Sequence, residues 1–270
     1  MDTAPVADLL RAAADEAVLP RWRTLRPDQV AEKSRPDDLV TVADTEAEAL
    51  ITEGLRAIRP GTPVIGEEAV AADPSLLDGL TTLPEYWLVD PVDGTGNFVE
   101  GSPDFGVMVA LVERGEVSAA WIWLPVHENL AVAVRGEGTV LDGVPVGLPE
   151  GPPRGFADLA GWYSARFIPP DVVARADAAA LAHLDQTPPM SAAVAYVRLL
   201  QGASDAALLW RSYAWDHAPG SLLLAEAGGS ARHLDGTRYR PGVPGRGLVL
   251  ARDDRSFGPF RTALFGDAEV

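Results

Sequence analysis

Cysteine is absent from this sequence of 270 residues. The chain therefore forms no disulfide, binds no zinc through thiolates and has no thiol nucleophile. No apolar run approaches the roughly 18 residues that a membrane-spanning helix needs, so we expect no membrane partner. The segment from Met1 to Pro5 lacks the basic region and apolar core of a secretion signal. These absences are typical of a reducing compartment, and we expect a cytoplasmic protein.

Basic residues are few: 22 Lys and Arg stand against 39 Asp and Glu, for a formal net charge of -17. Contacts to a nucleic-acid polymer need clustered Lys and Arg, so the composition argues against that class of partner. Most of the acidic excess is typical of a solvated surface. The carboxylates that need another explanation lie beside apolar or glycine-rich stretches: Asp44, Glu67, Glu68, Asp90, Asp93 and Asp216.

Two helical patterns begin the chain. Apolar residues at helical spacing predict an amphipathic helix over residues 4–22. A second helix is expected to begin near Asp44, where Thr45 and Glu48 form a capping box, and to end before Pro60. Both helices present an apolar stripe that has to be buried against another element.

Short apolar runs follow these helices. The β-branched stretch at 63–66 predicts a strand that delivers Glu67 at its end. Between residues 87 and 146, apolar runs separated by turn signals predict an antiparallel meander packed against the two helices. We therefore expect residues 1–146 to form an α+β lobe that carries most of the unusual acids.

A stretch rich in Gly and Pro at 143–155 marks the expected boundary between two lobes. Beyond it, alternating patterns predict an α/β lobe over residues 147–270 that carries Asp216. The predicted strands cover 155–160, 205–210 and 247–251, and the predicted helices cover 170–184, 191–201, 219–227 and a C-terminal segment ending at Phe265.

The segment from Asp90 to Phe98 places two carboxylates, a hydroxyl and two glycines directly after an apolar run. Gly94 permits backbone conformations that let consecutive N–H groups converge on an anion. Hard divalent cations prefer oxygen ligands such as carboxylates. The segment predicts a metal-dependent phosphate site, with the phosphate against residues 94–96 and metals at Asp90 and Asp93. An ordinary Asx turn at Asp93 is the alternative.

Ordered motifs across the chain resemble the signature set of the inositol monophosphatase family: residues 66–68, 87–98, 215–220 and 226–229. Residues 38–44 match the family's upstream motif, and Lys33 stands where the family often has a lysine. The resemblance implies a layered αβαβα sandwich and Mg²⁺-dependent hydrolysis of a small phosphate monoester. It also implies a homodimer and sensitivity to lithium.

The resemblance assigns ligands to two or three Mg²⁺ ions, for which Mn²⁺ is a substitute. Glu67, Asp90 and the carbonyl of Val92 would hold one ion, and Asp90, Asp93 and Asp216 would hold a second. Glu67 would also help to hold a weaker third ion. One metal would lower the pKa of a bound water while the other stabilises charge on the departing ester oxygen.

The resemblance also implies a catalytic group and a phosphate cradle. The implied catalytic residues are Asp44, Glu67 and Thr95, and the implied phosphate-binding residues are Asp93, Gly94, Thr95 and Gly96. Thr95 can accept the proton of the attacking water only if its own is passed on, and Asp44 is a suitable acceptor. No covalent nucleophile is required. A helix cap is the structural alternative for Thr95.

Other residues near these motifs have structural interpretations. Asp44 alone is an ordinary helix N-cap candidate. Glu68 is expected to form hydrogen bonds beside the site and not to bind a metal. His217 and Trp215 are more typical of packing than of catalysis. Lys33 is either a solvated loop lysine or a contact to the metal-bound anion.

Substrate choice depends on the segment before Asp216. Family enzymes that act on inositol phosphates commonly carry a Glu seven residues before the last metal-binding Asp, and this chain has Leu209 there. A polyol contact is therefore missing. Trp210, Arg211 and Tyr213 offer an aromatic and basic mix that could meet a second anionic group or a flat ring, with Arg211 as the specificity residue.

Several functions fit these residues. The first is hydrolysis of inositol 1-phosphate or a related cyclitol or sugar phosphate. The alternatives are phosphatases for histidinol phosphate or for a nucleotide 3′-phosphate such as adenosine 3′,5′-bisphosphate. A catalytically silent relative that binds phosphorylated ligands belongs to a different class. Its retained acids speak against it, because a binding scaffold does not need so many uncompensated carboxylates.

Overall fold

The fold is seen in a computed structural model that describes residues 1–33, 39–147, 149, 152, 154–164, 167–185 and 191–266. The first residue of the upstream motif, Asp38, and parts of the Gly- and Pro-rich stretch at 143–155 lie outside these ranges. The division of the chain between residues 146 and 147 stays a prediction.

The predicted amphipathic N-terminal helix is confirmed, but only its first part is a regular α-helix. Helix α1 covers Ala4–Ala13, and the chain continues through a π-helical turn at Ala14–Val18 and a 3₁₀ turn at Leu19–Arg21. Pro20 lacks the N–H that a regular α-helix would need at this position. The regular hydrogen-bond ladder therefore cannot continue unchanged to the predicted end at residue 22.

Helix α2 covers Val42–Ile58 and begins earlier than predicted. Its N-cap is Thr41, which follows the short strand β2 (Leu39–Thr41) paired with β1 (Val30–Glu32). The Asp44 carboxylate accepts the Thr41 N–H at 2.8 Å, so the capping box joins these two residues. The predicted Thr45 and Glu48 box is wrong, and Asp44 is not the N-cap, because β2 keeps the chain extended as far as Thr41.

A seven-stranded sheet forms the centre of the fold. Its first pair, β3 and β4, is parallel, and each later pair is antiparallel, which confirms the predicted strand at 63–66 and the predicted meander. The strands lie side by side in chain order: β3 Val64–Gly66, β4 Glu85–Asp93, β5 Gly106–Glu113, β6 Glu116–Leu124, β7 Asn129–Val134, β8 Gly138–Leu141 and β9 Val144–Val146.

A four-stranded sheet lies in the second half of the chain, with β10 Gly161–Tyr163, β11 Ala206–Leu209, β12 Ser230–Arg232 and β13 Leu248–Ala251. The order is β10-β11-β13-β12, and only the first pair is parallel. The strand predicted at 155–160 is wrong: Phe156–Asp158 form a 3₁₀ turn. The Phe156 ring packs there against Phe260, with ring centroids 5.9 Å apart.

The helices of the second half are α5 Pro170–Val173, α6 Ala178–His183, α7 Ala192–Gln201, α8 Ala214–Glu226 and α9 Phe257–Phe265. The single helix predicted over 170–184 is wrong, because the chain turns and restarts where Asp177 caps α6 through the Ala180 N–H. Helix α8 begins before the predicted Pro219, which lies inside it. Burial of the preceding turn, from Ala214 to Ala218, outweighs the missing N–H of this proline.

Alternate residues of each central strand face opposite layers. Trp87 and Trp121 pack with α1 and α2, whereas Tyr86 and Met108 belong to the core beneath α7 and α8. The four-stranded sheet packs on the other side of α7 and α8, and α5, α6 and α9 cover its outer face. These layers form the αβαβα sandwich that the resemblance implied. None of the described helices combines the length and the apolar character that crossing a membrane requires.

Candidate active site

The site begins where strand β4 ends. The pairing of β4 with β5 shifts register between Asp90 and Asp93, so a bulge separates the two acids. Gly94 follows with φ +85°, and an added Cβ would lie 2.9 Å from the Ser191 Cβ and 3.1 Å from the Asp104 carbonyl. Only glycine combines this conformation with this close approach. The short helix α4 (Thr95–Val99) then starts.

Thr95 and Asp44 meet at this turn. The Thr95 Oγ lies 3.1 Å from Asp44 Oδ1 and 3.0 Å from the Val92 carbonyl, both of which can accept its proton. Asp44 Oδ2 accepts the Thr41 hydroxyl at 2.6 Å. Burial raises the pKa of Asp44 to about 6, although the Thr41 hydrogen bonds oppose the change. Two segments far apart in the sequence thus form one hydrogen-bonded pair.

Asp90, Asp93 and Asp216 form the acidic wall of the cleft. Asp90 and Asp93 are buried, and Asp216 keeps partial exposure in the first turn of α8. Burial, followed by the charges of neighbouring carboxylates, raises the pKa values of Asp90 and Asp216 well above 3.8. The fold holds like charges together at a cost in free energy, which cations bound in the cleft would offset.

Ser191 is a site residue that the sequence interpretation missed. Its hydroxyl donates a short hydrogen bond to Asp93 Oδ2, and the Ala193 N–H donates to the same oxygen at 2.7 Å. Burial raises the pKa of Asp93 to about 6 while these hydrogen bonds oppose the rise. The signal for Ser191 was its position as N-cap of α7, but nothing local indicated the contact with Asp93.

Lys33, the one lysine of the sequence, lies in the site. Its Nζ is 2.7 Å from Glu67 Oε1 and 2.6 Å from Glu68 Oε1, and these charges raise its pKa against the effect of burial. Burial raises the pKa of Glu68 to about 7. The interpretation of Lys33 as a solvated loop lysine is therefore wrong. The expected hydrogen bonding of Glu68 is confirmed.

Glu48 supports Glu67 and Glu68 from helix α2. Its carboxylate accepts the N–H groups of Glu68 and Ala69, each at 2.8 Å, at the start of helix α3 (Glu67–Ala72). An added Cβ at Gly66 would lie 2.2 Å from the Glu48 carboxyl carbon, so the glycine makes room for this contact. The sequence interpretation assigned Glu48 to a capping box of its own helix and missed this role.

The oxygen-rich lining suits a hard divalent cation by its chemistry. Among the described residues, no three His, Asp or Glu side chains converge closely enough to enclose a metal ion. Lys33 binds Glu67, and Ser191 binds Asp93. The carboxylate oxygens of the lining are donors that fit magnesium.

His217 has the structural role expected of it. It is buried, its Nδ1 lies 3.1 Å from the Tyr196 hydroxyl, and its Nε2 lies 2.9 Å from the Arg211 carbonyl. Burial lowers its pKa to about 4, so the ring is neutral at pH 7 and its Nε2–H donates to the carbonyl. The neighbouring Trp215 ring stacks on Tyr213 with centroids 5.3 Å apart.

Another part of the cleft lining is largely apolar and aromatic. Arg211 is the one Lys or Arg among the described residues that line this cleft. Its guanidinium carbon lies 3.5 Å from the centroid of the Phe167 ring. The other residues of this wall are Trp162, Ser164, Leu209, Trp210 and Tyr213.

Comparisons with known proteins identify the family of this chain. Residues 2–262 match the inositol monophosphatase family. The inositol-1-monophosphatase of Bacillus subtilis is 30% identical over 212 residues, which cover 77% of each chain. The 3′(2′),5′-bisphosphate nucleotidase CysQ of Salmonella typhimurium is 36% identical over 132 residues, or 49% of this chain and 51% of CysQ. The solved IMPase of Thermotoga maritima has a TM-score of 0.80 at 23% identity and covers 97% of both chains.

The layered fold and the match over nearly the whole chain define the class of protein. This chain belongs to the inositol monophosphatase family. It is an enzyme of the phosphoric monoester hydrolase class.

Proposed function

We propose that the cleft hydrolyses a small cyclitol or sugar phosphate, of which inositol 1-phosphate is the first candidate, with Mg²⁺ as cofactor. The observation that carries the proposal is the Thr95–Asp44 pair beside the buried acids Asp90 and Asp93. In the reaction, water adds to phosphorus, the ester P–O bond breaks, and the departing alcohol takes up a proton. Inorganic phosphate is the second product.

The proposed ligands are the residues implied by the family resemblance. Glu67, Asp90 and the Val92 carbonyl would hold one Mg²⁺, and Asp90, Asp93 and Asp216 would hold a second. Bound Mg²⁺ would supply positive charge that activates water and stabilises the departing oxygen. Burial, followed by the charges of neighbouring carboxylates, raises the pKa values of Asp90 and Asp216, and this accumulation of buried acids supports the assignment.

Thr95 and Asp44 supply the proton path in this proposal. The Thr95 hydroxyl donates to Asp44 Oδ1, which leaves the lone pairs of its oxygen free to accept from the attacking water. With its pKa raised to about 6, Asp44 is ionised at pH 7 and can take the proton that Thr95 passes on. An added Cβ at Gly96 meets no atom within 4 Å, so the space beside this residue is open to the phosphate that the backbone of Gly94 and Gly96 would bind.

A nucleotide 3′-phosphate is the second candidate substrate. The match to CysQ over about half of the chain and the aromatic lining of the cleft favour it. Hydrolysis of histidinol phosphate and an inactive, phospholigand-binding role have no specific contact in their favour. The homodimer, the lithium sensitivity and the cytoplasmic location stay predictions.

Phosphate release from a panel of metabolite monoesters, with and without Mg²⁺, tests the proposal. We expect turnover that depends on Mg²⁺ and that falls by more than about a hundredfold in Asp216→Asn. Asp15→Asn, the same change on an exposed residue, is the control and should match the wild type. Turnover that survives in Asp216→Asn, or no turnover with any ester, would contradict the proposed chemistry.

A further inference from the structure

The guanidinium of Arg211 interacts electrostatically with Asp216, but no direct ion pair joins these two described side chains. Arg211 lines the cleft that also contains Asp90, Asp93 and the turn at Gly94. Within the part of the chain that the structure describes, its guanidinium forms no ion pair or hydrogen bond with another side chain. Its N–H donors are therefore available to a molecule in the cleft.

Packing holds this guanidinium in a defined orientation. The Phe167 ring lies 3.5 Å from its central carbon, a distance at which the guanidinium stacks on the ring face. Stacking covers one face of the guanidinium and leaves its N–H edge exposed, and this edge matches the geometry of a carboxylate or phosphate. The guanidinium of Arg211 is thus a planar hydrogen-bond donor held in one orientation by the Phe167 ring.

The backbone of Arg211 is anchored as well. The buried, neutral His217 donates from Nε2 to the Arg211 carbonyl at 2.9 Å, and the Tyr196 hydroxyl lies 3.1 Å from the other ring nitrogen. His217 belongs to helix α8, which also carries Asp216. Arg211 is therefore held in position relative to Asp216.

The neighbours of Arg211 provide little for sugar hydroxyls. Leu209 and Trp210 line the same wall, and Leu209 has no polar atom in its side chain. Among the described residues of this wall, none has a carboxylate that could accept a hydrogen bond from a sugar hydroxyl. The wall therefore offers an apolar surface with one fixed cation, which suits an anionic substituent better than a neutral polyol.

We infer that Arg211 is a specificity-determining residue that binds a second anionic group, a carboxylate or a phosphate, on the alcohol part of the substrate. This inference rests on the phosphate ester hydrolysis of the proposed function, because the ester phosphate has to lie at the turn of Gly94 for the alcohol to reach Arg211. Within that function it favours a sugar phosphate or nucleotide with a second anionic group over inositol 1-phosphate. His217 is a positioning residue that holds the Arg211 backbone.

Matched substrate pairs test the inference. Glycerol 3-phosphate and 3-phosphoglycerate differ by a carboxylate, and adenosine 3′-monophosphate and adenosine 3′,5′-bisphosphate differ by a phosphate. We expect wild-type kcat/KM to favour the doubly anionic member of at least one pair. The pair that shows the preference identifies whether a carboxylate or a phosphate is recognised.

In Arg211→Gln, the preference within that pair should fall by about ten- to hundredfold, the range for a lost charge-assisted hydrogen bond. Arg211→Lys keeps the charge but not the planar fork, and should retain part of the preference. Arg246→Gln is the matched control, because Arg246 stacks over Trp210 at 5.9 Å yet does not line the cleft. It should keep the wild-type preference. Thermal unfolding of each variant checks that it is folded.

The outcomes separate this inference from the proposed function. Turnover without preference in either pair, or an unchanged preference in a folded Arg211→Gln variant, would overturn the inference alone. No phosphate release from any ester, including a simple aryl phosphate, would overturn the proposed function together with it.

Discussion

The side chains of the cleft carry pKa values that follow from burial. Asp44 is 1% exposed, and desolvation raises its pKa from 3.8 to about 6. Because the pKa of Asp44 is higher in the folded than in the unfolded protein, protonation of this side chain stabilises the folded state. This stabilisation is complete below about pH 4 and is lost as the pH rises through about 6. The ionised form of Asp44 that the proposed proton path needs at neutral pH therefore costs stability.

The proposed role of Asp44 predicts the pH profile of turnover. Because Asp44 has to be ionised to accept a proton, kcat should fall about tenfold per pH unit below its pKa near 6. Asp44→Asn should lower kcat by about a hundredfold or more at pH 7.5 and should remove this acidic limb.

The stability of the same variant separates catalysis from folding. Asn resembles the protonated acid, so Asp44→Asn should unfold at no lower temperature than the wild type at pH 7.5. Glu53→Gln, on the exposed face of the same helix, is the control for both measurements. A variant with wild-type kcat at pH 7.5 would show that Asp44 is only a helix residue.

Among the secondary-structure elements, the contact between helices α7 and α8 matters most for the site. Helix α7 brings Ser191 and the Ala193 N–H to Asp93, and helix α8 carries Asp216. The two helices approach closely at Gly220, where an added Cβ would lie 2.1 Å from the Tyr196 ring. The missing side chain at Gly220 therefore helps to set the distance between Asp93 and Asp216.

This contact predicts a large effect for a small substitution. Gly220→Ala should lower the free energy of unfolding by about 1–3 kcal/mol, because the methyl group displaces Tyr196 and with it His217. Gly258→Ala is the control, since this glycine also lies in a helix but an added Cβ meets no atom within 4 Å. The control should change stability by less than about 1 kcal/mol, in the stabilising direction. Equal denaturation curves for Gly220→Ala and wild type would contradict the proposed close contact.

For the molecule as a whole, the feature with the largest consequence for stability is its negative net charge. The chain carries a net charge of -17, and its acidic cleft adds local repulsion to this global excess. Cations that bind the folded cleft and not the unfolded chain should stabilise the protein by mass action. The acidic composition therefore links stability to metal binding.

Thermal unfolding in Mg²⁺ measures this link. At a Mg²⁺ concentration about 100 times its Kd, binding to one site should add about 2.7 kcal/mol to the free energy of unfolding. Chelation with EDTA should reverse the gain, and NaCl at equal ionic strength should give less, because screening is not specific. Asp216→Asn should lose most of the Mg²⁺ effect. An equal increase with NaCl would contradict specific binding in the cleft.

The sequence alone predicted those helices and strands whose buried face is visible in the pattern of their own apolar residues. Apolar runs separated by turn signals predicted the central strands between residues 87 and 146. The spacing of apolar residues predicted the N-terminal helix, and a helical pattern predicted the helix over 191–201. The Asp90–Phe98 segment carries two carboxylates, a hydroxyl and two glycines within nine residues, and together with the other acids it predicted a metal and phosphate site, which stays a prediction. Caps and helix starts were less predictable, because Thr41 and Ala214 depend on what precedes and covers them.

Only the tertiary structure decided which distant side chains meet. The contacts of Ser191 with Asp93, of Glu48 with the start of helix α3 and of Arg211 with Phe167 join residues that are well separated in the chain. Such contacts depend on how the helices and sheets pack, since the sequence around one residue does not tell where its distant partner lies. The sequence by itself determined the family and the acids of the cleft, and packing decided how those acids are supported.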